Sequence, residues 1–319
     1  LQKQSGTNVF RLIHCEADLF PGVSVDYIAG ILRFVIQSPS TRGFLVKLEE
    51  ALKEQMAPYL LESRPIVHVF NLRPSPKGQL RSVFLSEGSI PSDTINERGR
   101  LEVYEDGLKY EVDLGLNDPF SPAPGIGLFM DQRTNRRRLA KRVNPGSRWL
   151  NLFCHTGAFS VMLLAQGAGS VDSVDLSAHY LGWLDDNLAL NGLEMKAHRS
   201  IRSDARRFVE KTLNEGGYDG IVVDPPTAAA AGRKYWSVKK GYREIVASVL
   251  PRLNSGGVLL LSRNDRGARG SLAELVHKEA QKQKRRVLEI RDAGPGLDYP
   301  ILDTFPEGDS FSGIIARVE

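Results

Sequence analysis

From Trp149 onward the chain alternates strand-like and helix-like runs, and this alternation leaves few folds open. Apolar and β-branched runs fall at 149–153, 170–175, 197–201, 220–223, 258–262, 286–290 and 312–318. Helical periodicity fills 158–166, 178–191, 205–213, 238–253 and 272–283, one stretch between each successive pair of the first six runs. A helix between two strands carries the chain back to the same end of the sheet, so such strands pair in parallel and need cover on both faces. The expected class is therefore α/β, a Rossmann-like, mostly parallel sheet. No helix separates the last two runs, which predicts an antiparallel hairpin at the sheet edge.

The first part of the chain is of another kind. Strand signals at 9–14, 23–27, 31–37, 66–71, 101–104 and 110–114 surround one helical period over 42–60, a smaller α+β domain. The 117–127 stretch carries Pro119, Pro122, Pro124, Gly125 and Gly127, which places the boundary between domains 1–118 and 119–319.

Composition narrows the class further. Of 319 residues, 41% are hydrophobic and 25% charged, which fits a globular protein rather than a disordered or fibrous one. No apolar run approaches the roughly 20 residues of a membrane helix, and the opening residues lack a secretory leader pattern. Cys15 and Cys154 are the only cysteines, too few for a disulfide framework. A soluble chain in the cytoplasm, without a membrane partner, is expected. The chain starts with Leu1 rather than Met, which suggests a fragment or a trimmed chain. The net charge of +4 says little, but seven basic residues and no acid lie between Arg133 and Arg148. That cluster suits either nucleic-acid phosphates or a solvated helix face.

Open parallel sheets bind ligands at the carboxyl ends of their strands. Four strands here end in polar or glycine-bearing signals: Phe153-Cys154-His155-Thr156-Gly157-Ala158, then Asp175-Leu176, Asp204-Ala205 and Asp224-Pro225-Pro226-Thr227. The first offers a tight turn before a helix N-terminus. An acid about 20 positions later suits a ribose diol, although Asp175 and Asp204 could equally cap the helices that follow. Prolines fixing the backbone beside a carboxylate are an odd choice for plain structure. A nicotinamide dehydrogenase would require G-x-G-x-x-G, and the loop has a single glycine. A cofactor without pyrophosphate fits better, and S-adenosylmethionine is such a cofactor. No pair of histidines stands at metal spacing, so no metal is expected.

With these motifs the second domain resembles a class I S-adenosylmethionine-dependent methyltransferase. More narrowly it is similar to the RlmI/RlmK group of bacterial large-subunit ribosomal RNA methyltransferases. The likeness rests on Gly-Leu-Phe-Met-Asp-Gln-Arg at 127–133, the 151–161 run and Ser-Val-Asp-Leu-Ser at 173–177. Tyr180, Trp183, Asn187, Asp-Pro-Pro-Thr at 224–227 and Ser-Arg-Asn-Asp-Arg-Gly at 262–267 extend it. Phe-Arg-Leu-Ile-His-Cys-Glu-Ala-Asp at 10–18 and the 300–308 segment carry it across most of the chain. The group usually has Tyr at the place of His155 and Gly at the place of Cys15. Many members carry an N-terminal PUA domain that these 319 residues do not include.

The resemblance implies roles. Phe153 to Ala158 would pack the methionine part of the cofactor, Asp175 with Leu176 would hold the ribose side, and Asp204 with Ala205 the adenine. Gln132, Arg133 and Arg136 would lie over the cofactor or reach the RNA backbone. The first domain would shape the RNA groove, or else cover the sheet edge or make a homodimer. Tyr235 and Trp236, interleaved with basic residues, suit stacking on unpaired RNA or a place in the core.

The atom methylated depends on sulfur. Carbon-5 of cytosine needs a thiolate to activate the ring, but the expected positions read Thr227-Ala228-Ala229 and Ser262-Arg263-Asn264-Asp265. A guanine ring nitrogen such as nitrogen-7 has its own lone pair and needs positioning alone. These segments resemble the guanine-modifying RlmK branch more than the cytosine-modifying RlmI branch. Asp224, Pro225, Pro226 and Thr227 are then the catalytic set, with Arg263 or Asn264 reading the base edge. A non-catalytic RNA-binding or ribosome-assembly protein is the competing class, against which the intact Asp-Pro-Pro argues.

Overall fold

The computed structural model describes residues 6–75, 78–117, 124–193, 195–212, 216–226, 228–231, 234–264, 271–305 and 311–319. The chain divides into two units, Leu1–Arg133 with Gly296–Asp309, and Thr134–Pro295 with Ser310–Glu319.

The first unit contains β1 (Val9–His14), β2 (Val23–Ile28), β3 (Ile31–Ile36), α1 (Arg42–Gln55), β4 (Ile66–Ser75), β5 (Gly78–Glu87), β6 (Leu101–Glu105) and β7 (Leu108–Val112). The first five strands form one sheet in chain order, with β3 and β4 parallel because α1 crosses between them. Leu45 and Leu48 of α1 join Val25, Leu32 and Phe34 in the core of this unit. The β6–β7 turn is Asp106-Gly107, both with positive φ (54° and 81°), which matches the twist a tight hairpin needs.

The proline- and glycine-bearing stretch is not where the units part. After it, Ile126, Leu128, Met130 and Gln132 are buried, and the Asp113 amide donates to the Ile126 carbonyl at 2.9 Å. These contacts hold the chain in the first unit as far as Arg133, and 296–309 returns to it. Gly125 and Ile126, both with positive φ, turn the chain, while alternating apolar residues decide membership.

The second unit holds α2 (Arg133–Ala140, from its second residue), β8 (Arg148–Leu152), α3 (Ala158–Ala165), β9 (Ser170–Asp175), α4 (Ala178–Leu190), β10 (His198–Arg202), α5 (Ala205–Lys211) and β11 (Tyr218–Val223). A short hairpin of β12 (Ala228–Ala231) and β13 (Lys234–Ser237) leads to α6 (Val238–Val249), β14 (Leu253–Asn264), α7 (Leu272–Lys282), β15 (Val287–Asp292) and β16 (Phe311–Val318). The seven-stranded sheet runs β10-β9-β8-β11-β14-β16-β15. Its first four pairings are parallel and its last two antiparallel.

The final pair is antiparallel as expected, but β16 inserts between β14 and β15 and leaves β15 on the edge. Burial explains the order: Ile314, Ile315, Ala316 and Val318 are covered, whereas β15 exposes Leu288, Arg291 and Asp292. Alternate residues Leu150, Leu152, Ile221, Val223, Leu259, Leu261, Ile314 and Ala316 face one cluster with α5, α6 and α7. The chain winds from β8 outward through β9 and β10, then resumes on the other side with β11. The crevice at the carboxyl ends of β8 and β11 is thus the switch point of the sheet. Among the described residues no helix is long and apolar enough to cross a membrane.

Candidate active site

The loop after β8 is a coil of left-handed residues. Phe153 (φ 58°), His155 (φ 50°) and Gly157 (φ 79°) alternate with ordinary ones, and the Gly157 amide closes on the Cys154 carbonyl at 2.9 Å. Positive φ is uncommon in residues with side chains, so the surroundings must hold the loop in shape. They do so from three sides. The Cys154 amide donates to the Val174 carbonyl at 3.1 Å, Asn187 Nδ2 donates to the Thr156 carbonyl at 2.9 Å, and the His155 amide donates to Asp175 Oδ2 at 3.0 Å. A Cβ on Gly157 would sit 2.2 Å from Leu184 Cγ, so glycine is required twice over. Beneath the loop Asn151, Ser160, Ser173 and His198 form a buried hydrogen-bonded chain from β8 to β10.

Three carboxylates stand at the neighbouring strand ends. Asp175 accepts from two backbone amides, His155 through Oδ2 and Ser177 through Oδ1 at 2.9 Å, and the next side chain, Leu176, is 43% exposed. Asp204 caps α5 by accepting from the Arg207 amide at 3.1 Å, with Ala205 buried beside it. Asp224 accepts from the Ser262 hydroxyl at 2.6 Å, and the Ser262 carbonyl accepts from Tyr242 at 2.9 Å. Pro225 is buried and Pro226 exposed. Asp204, Asp175, the glycine loop and Asp224 occupy four adjacent strand ends, a span of about 14 Å at the usual strand spacing.

The loop's titratable groups are neutral. The His155 ring lies 4.3 Å from the Tyr180 ring, and burial, with His179 nearby, pushes its pKa down to about 4. Cys154 is buried with its Sγ 3.8 Å from the His155 carbonyl, and burial beside Asp175 pushes the thiol up well above its ordinary value.

Several arginines of the basic cluster are engaged within the protein. Arg133 is buried in the first unit, bonded to Glu105 at 3.2 Å, to Asp298 at 3.0 Å and to the Val9 carbonyl. Gln132 is buried in that unit as well. Arg136 is buried in the second unit with its guanidinium 5.6 Å from the Phe159 ring centre. Arg138 donates to Asn135 and the Gly294 carbonyl, and Arg148 pairs with Asp172. These arginines hold the protein together rather than lining a solvated helix.

The sheet thus brings together Phe153 to Ala158, Asp175, Leu176, Asp204, Ala205 and Asp224 to Pro226, all on one edge of one unit. Arg263 lies at the end of β14 with Nε 3.0 Å from Ser312 Oγ, followed by exposed Asn264. Thr227 lies outside the described residues, as do the side chains of Tyr235 and Trp236 on β13. The sequence pattern did not single out Ser262 and Tyr242 as a support for Asp224. The one available signal was a serine at the end of the strand beside Asp-Pro-Pro.

The profile of the family described as S-adenosylmethionine-dependent methyltransferase matches residues 88–298. The chain belongs to this family. The methyltransferase is 29% identical over 320 residues to "Ribosomal RNA large subunit methyltransferase I" of Shewanella denitrificans, covering all of this chain and 76% of that protein. It is 28% identical, with the same coverage, to the protein of that name from an Enterobacter strain. Among solved structures it shares its fold with a SAM-dependent methyltransferase from Streptococcus mutans (TM-score 0.78, 23% identity, 99% of this chain and 76% of that one). The methyltransferase SMU.776 complexed with SAH (TM-score 0.78, 22% identity, 99% and 76%) has the same fold. So does Trm5b from Pyrococcus abyssi (TM-score 0.61, 18% identity, 100% and 81%).

The donor set fits S-adenosylmethionine. Acceptors stand where hydroxyls and an amino group would need them, an exposed leucine offers an apolar surface, and a neutral turn lies between. No phosphate-binding glycine series is present.

Proposed function

We propose that this methyltransferase modifies a base of large-subunit ribosomal RNA, at a guanine ring nitrogen and without a covalent intermediate. The name and full-length likeness of the curated relatives support the RNA. One observation carries the choice of atom: the protein has two cysteines, and burial raises the pKa of both. Neither thiol is poised as the thiolate that carbon-5 chemistry requires.

In this reading, bound S-adenosylmethionine supplies a methyl group made electrophilic by a sulfonium. Asp175 accepts from the two ribose hydroxyls, held in place by the His155 and Ser177 amides. Leu176 covers one side of the nucleoside and Asp204 accepts from the adenine amino group. Phe153 to Ala158 wrap the amino-acid end, and Arg136 supports that loop through Phe159. Arg133 drops out of the cofactor set because its guanidinium is engaged with Glu105 and Asp298.

Asp224, steadied by Ser262, accepts from an amino group of the target base, and Pro225 and Pro226 fix the backbone that presents it, with Thr227 beside them. Arg263 or Asn264 donates to the base edge. Tyr235 and Trp236 stack on the unpaired base, because a base inside a duplex cannot reach the site. The relatives carry the name of the branch that the resemblance associates with cytosine, so carbon-5 of cytosine is the second reading.

Transfer of labelled methyl groups to large-subunit RNA lacking the modification, followed by nucleoside analysis, tests both. Methylguanosine is expected. Methylcytidine would replace the first reading with the second, and label on protein alone would overturn the RNA substrate.

A further inference from the structure

A cavity of about 250 Å³ opens in the second unit at the end of the sheet opposite the candidate active site. Its walls include Arg142, Asn144, Val258, Glu289, Ile315 and Arg317. Strand register explains the grouping. Val258, Arg317 and Glu289 are direct neighbours across β14, β16 and β15, and Ile315 lies two residues from Arg317 on the same face. The other face of these strands is the one packed under α6 and α7. Val258 is six residues from Asn264 along β14, so the cavity lies roughly 20 Å from the strand ends that carry the site.

Charge in the cavity is unbalanced. Glu289 is engaged by Arg291, its neighbour on the same strand face. Arg142 donates to the Arg138 carbonyl at 2.7 Å, and neither Arg142 nor Arg317 has a carboxylate within ion-pair distance among the described residues. Both lie close enough to Glu289 to help hold its carboxyl below the usual range. Two lining arginines against one carboxylate, itself engaged by Arg291, leave a surplus of +1 over a floor of Val258 and Ile315. Hydrated counter-ions need no apolar floor. A nucleotide uses both parts, since guanidinium forks match phosphate oxygens and a base covers aliphatic side chains.

We propose that this cavity binds one nucleotide, its phosphate between Arg142 and Arg317 and its base over Val258 and Ile315. Glu289 accepts from an amino or imino hydrogen of the base. Resting on the RNA reading above, the nucleotide belongs to the substrate RNA, gripped away from the methylated base.

The test compares the full chain with Arg142→Gln/Arg317→Gln, with Arg142→Glu as a second variant. Arg286→Gln, an exposed arginine paired with Glu319 outside the cavity, controls for general charge. RNA affinity is measured by anisotropy across a salt series, beside calorimetry with a nucleoside monophosphate and with inorganic phosphate. The double variant should bind RNA about tenfold more weakly than the control and lose roughly 0.7 from the salt slope for each phosphate released, at unchanged cofactor affinity. Monophosphate binding lost in the variants while RNA binding is untouched would keep the cavity as a free-nucleotide site and remove the RNA. A chain that binds the monophosphate but no RNA would overturn the RNA reading and leave the cavity standing. Equal behaviour of variants and control with every probe would overturn the proposal.

Discussion

The Ser262 hydroxyl donates to Asp224 Oδ1 at 2.6 Å, tying the end of β14 to the Asp-Pro-Pro segment after β11. Tyr242 in turn bonds the Ser262 carbonyl, so α6 fixes the strand that fixes the carboxylate. If Asp224 positions the target base, Ser262→Ala should act on turnover rather than on the cofactor. A hydrogen bond to a charged group contributes about 1.5–3 kcal/mol, so kcat should fall about tenfold or more. Cofactor affinity by calorimetry should stay the same. An equal loss in both would mean that Ser262 supports the whole sheet edge instead.

Asp175 presents the opposite case. Its two oxygens already accept from the His155 and Ser177 amides, and a carboxylate has room for about four hydrogen bonds in all. Asp175→Ala should weaken S-adenosylmethionine binding roughly 10- to 150-fold, the equivalent of one charged hydrogen bond. Asp175→Asn, which keeps one acceptor, should lose less. Calorimetry on both variants checks this, and unchanged affinity would remove Asp175 from the cofactor site.

The neutral His155 gives the protein an acid limit. Its pKa of about 4 in the fold lies below the ordinary value of 6.5, mainly because it is buried. Between those values the unfolded chain binds the proton and the folded chain does not. The contribution is therefore complete above about pH 6.5 and is lost as pH falls toward 4, at most about 3 kcal/mol. His155→Gln should flatten the fall in melting temperature between pH 6.5 and 4. Turnover between pH 7 and 9 should show no inflection from this ring, which a pH–rate profile of the wild type will read.

Arg133 separates architecture from catalysis. It is 3% exposed and bridges Glu105, Asp298 and the Val9 carbonyl. Removing one partner of a buried ion pair leaves uncompensated charge and costs about 3–5 kcal/mol. Arg133→Ala should lower the urea midpoint accordingly, while the folded fraction keeps its cofactor affinity. A stable variant with weakened cofactor binding would return Arg133 to the site.

Arg133 also shows where sequence reading stopped. Periodicity located the seven strands of the large sheet and the helices between them to within a few residues, but not α2 or the β12–β13 hairpin, because apolar alternation is set by burial on the parallel sheet. Strand ends gave the carboxylates and the glycine loop, since topology alone decides that ligands meet that edge. Sequence could not say that a run of arginines folds inward. Arg133, Arg136, Arg138 and Arg148 find carboxylates, carbonyls and rings that lie far away in the chain. The strand β5 keeps no two-residue alternation, since Val83, Phe84 and Leu85 run together and Gly78, Gln79 and Arg81 precede them. The exchange of β15 and β16 depends on which strand is the more apolar, a comparison across 18 intervening residues that local period does not make.

The proposed choice of atom rests on the cysteines. Carbon-5 methylation of cytosine requires a thiolate to add at carbon-6, after which the ring attacks the methyl group and the carbon-5 proton leaves to free the sulfur. Cys154 is buried within the cofactor loop, and Cys15 is half-buried with its sulfur 2.8 Å from Ser24 Oγ. Burial raises the pKa of both, so little thiolate exists at neutral pH. Cys154→Ser and Cys15→Ser should each retain turnover within about threefold, with any loss from Cys154→Ser appearing as reduced stability. RNA containing 5-fluorocytosine, whose fluorine cannot leave as the proton does, should form no covalent adduct with the wild type. A stable adduct that disappears in either serine variant would establish the cysteine as a nucleophile and overturn the guanine assignment.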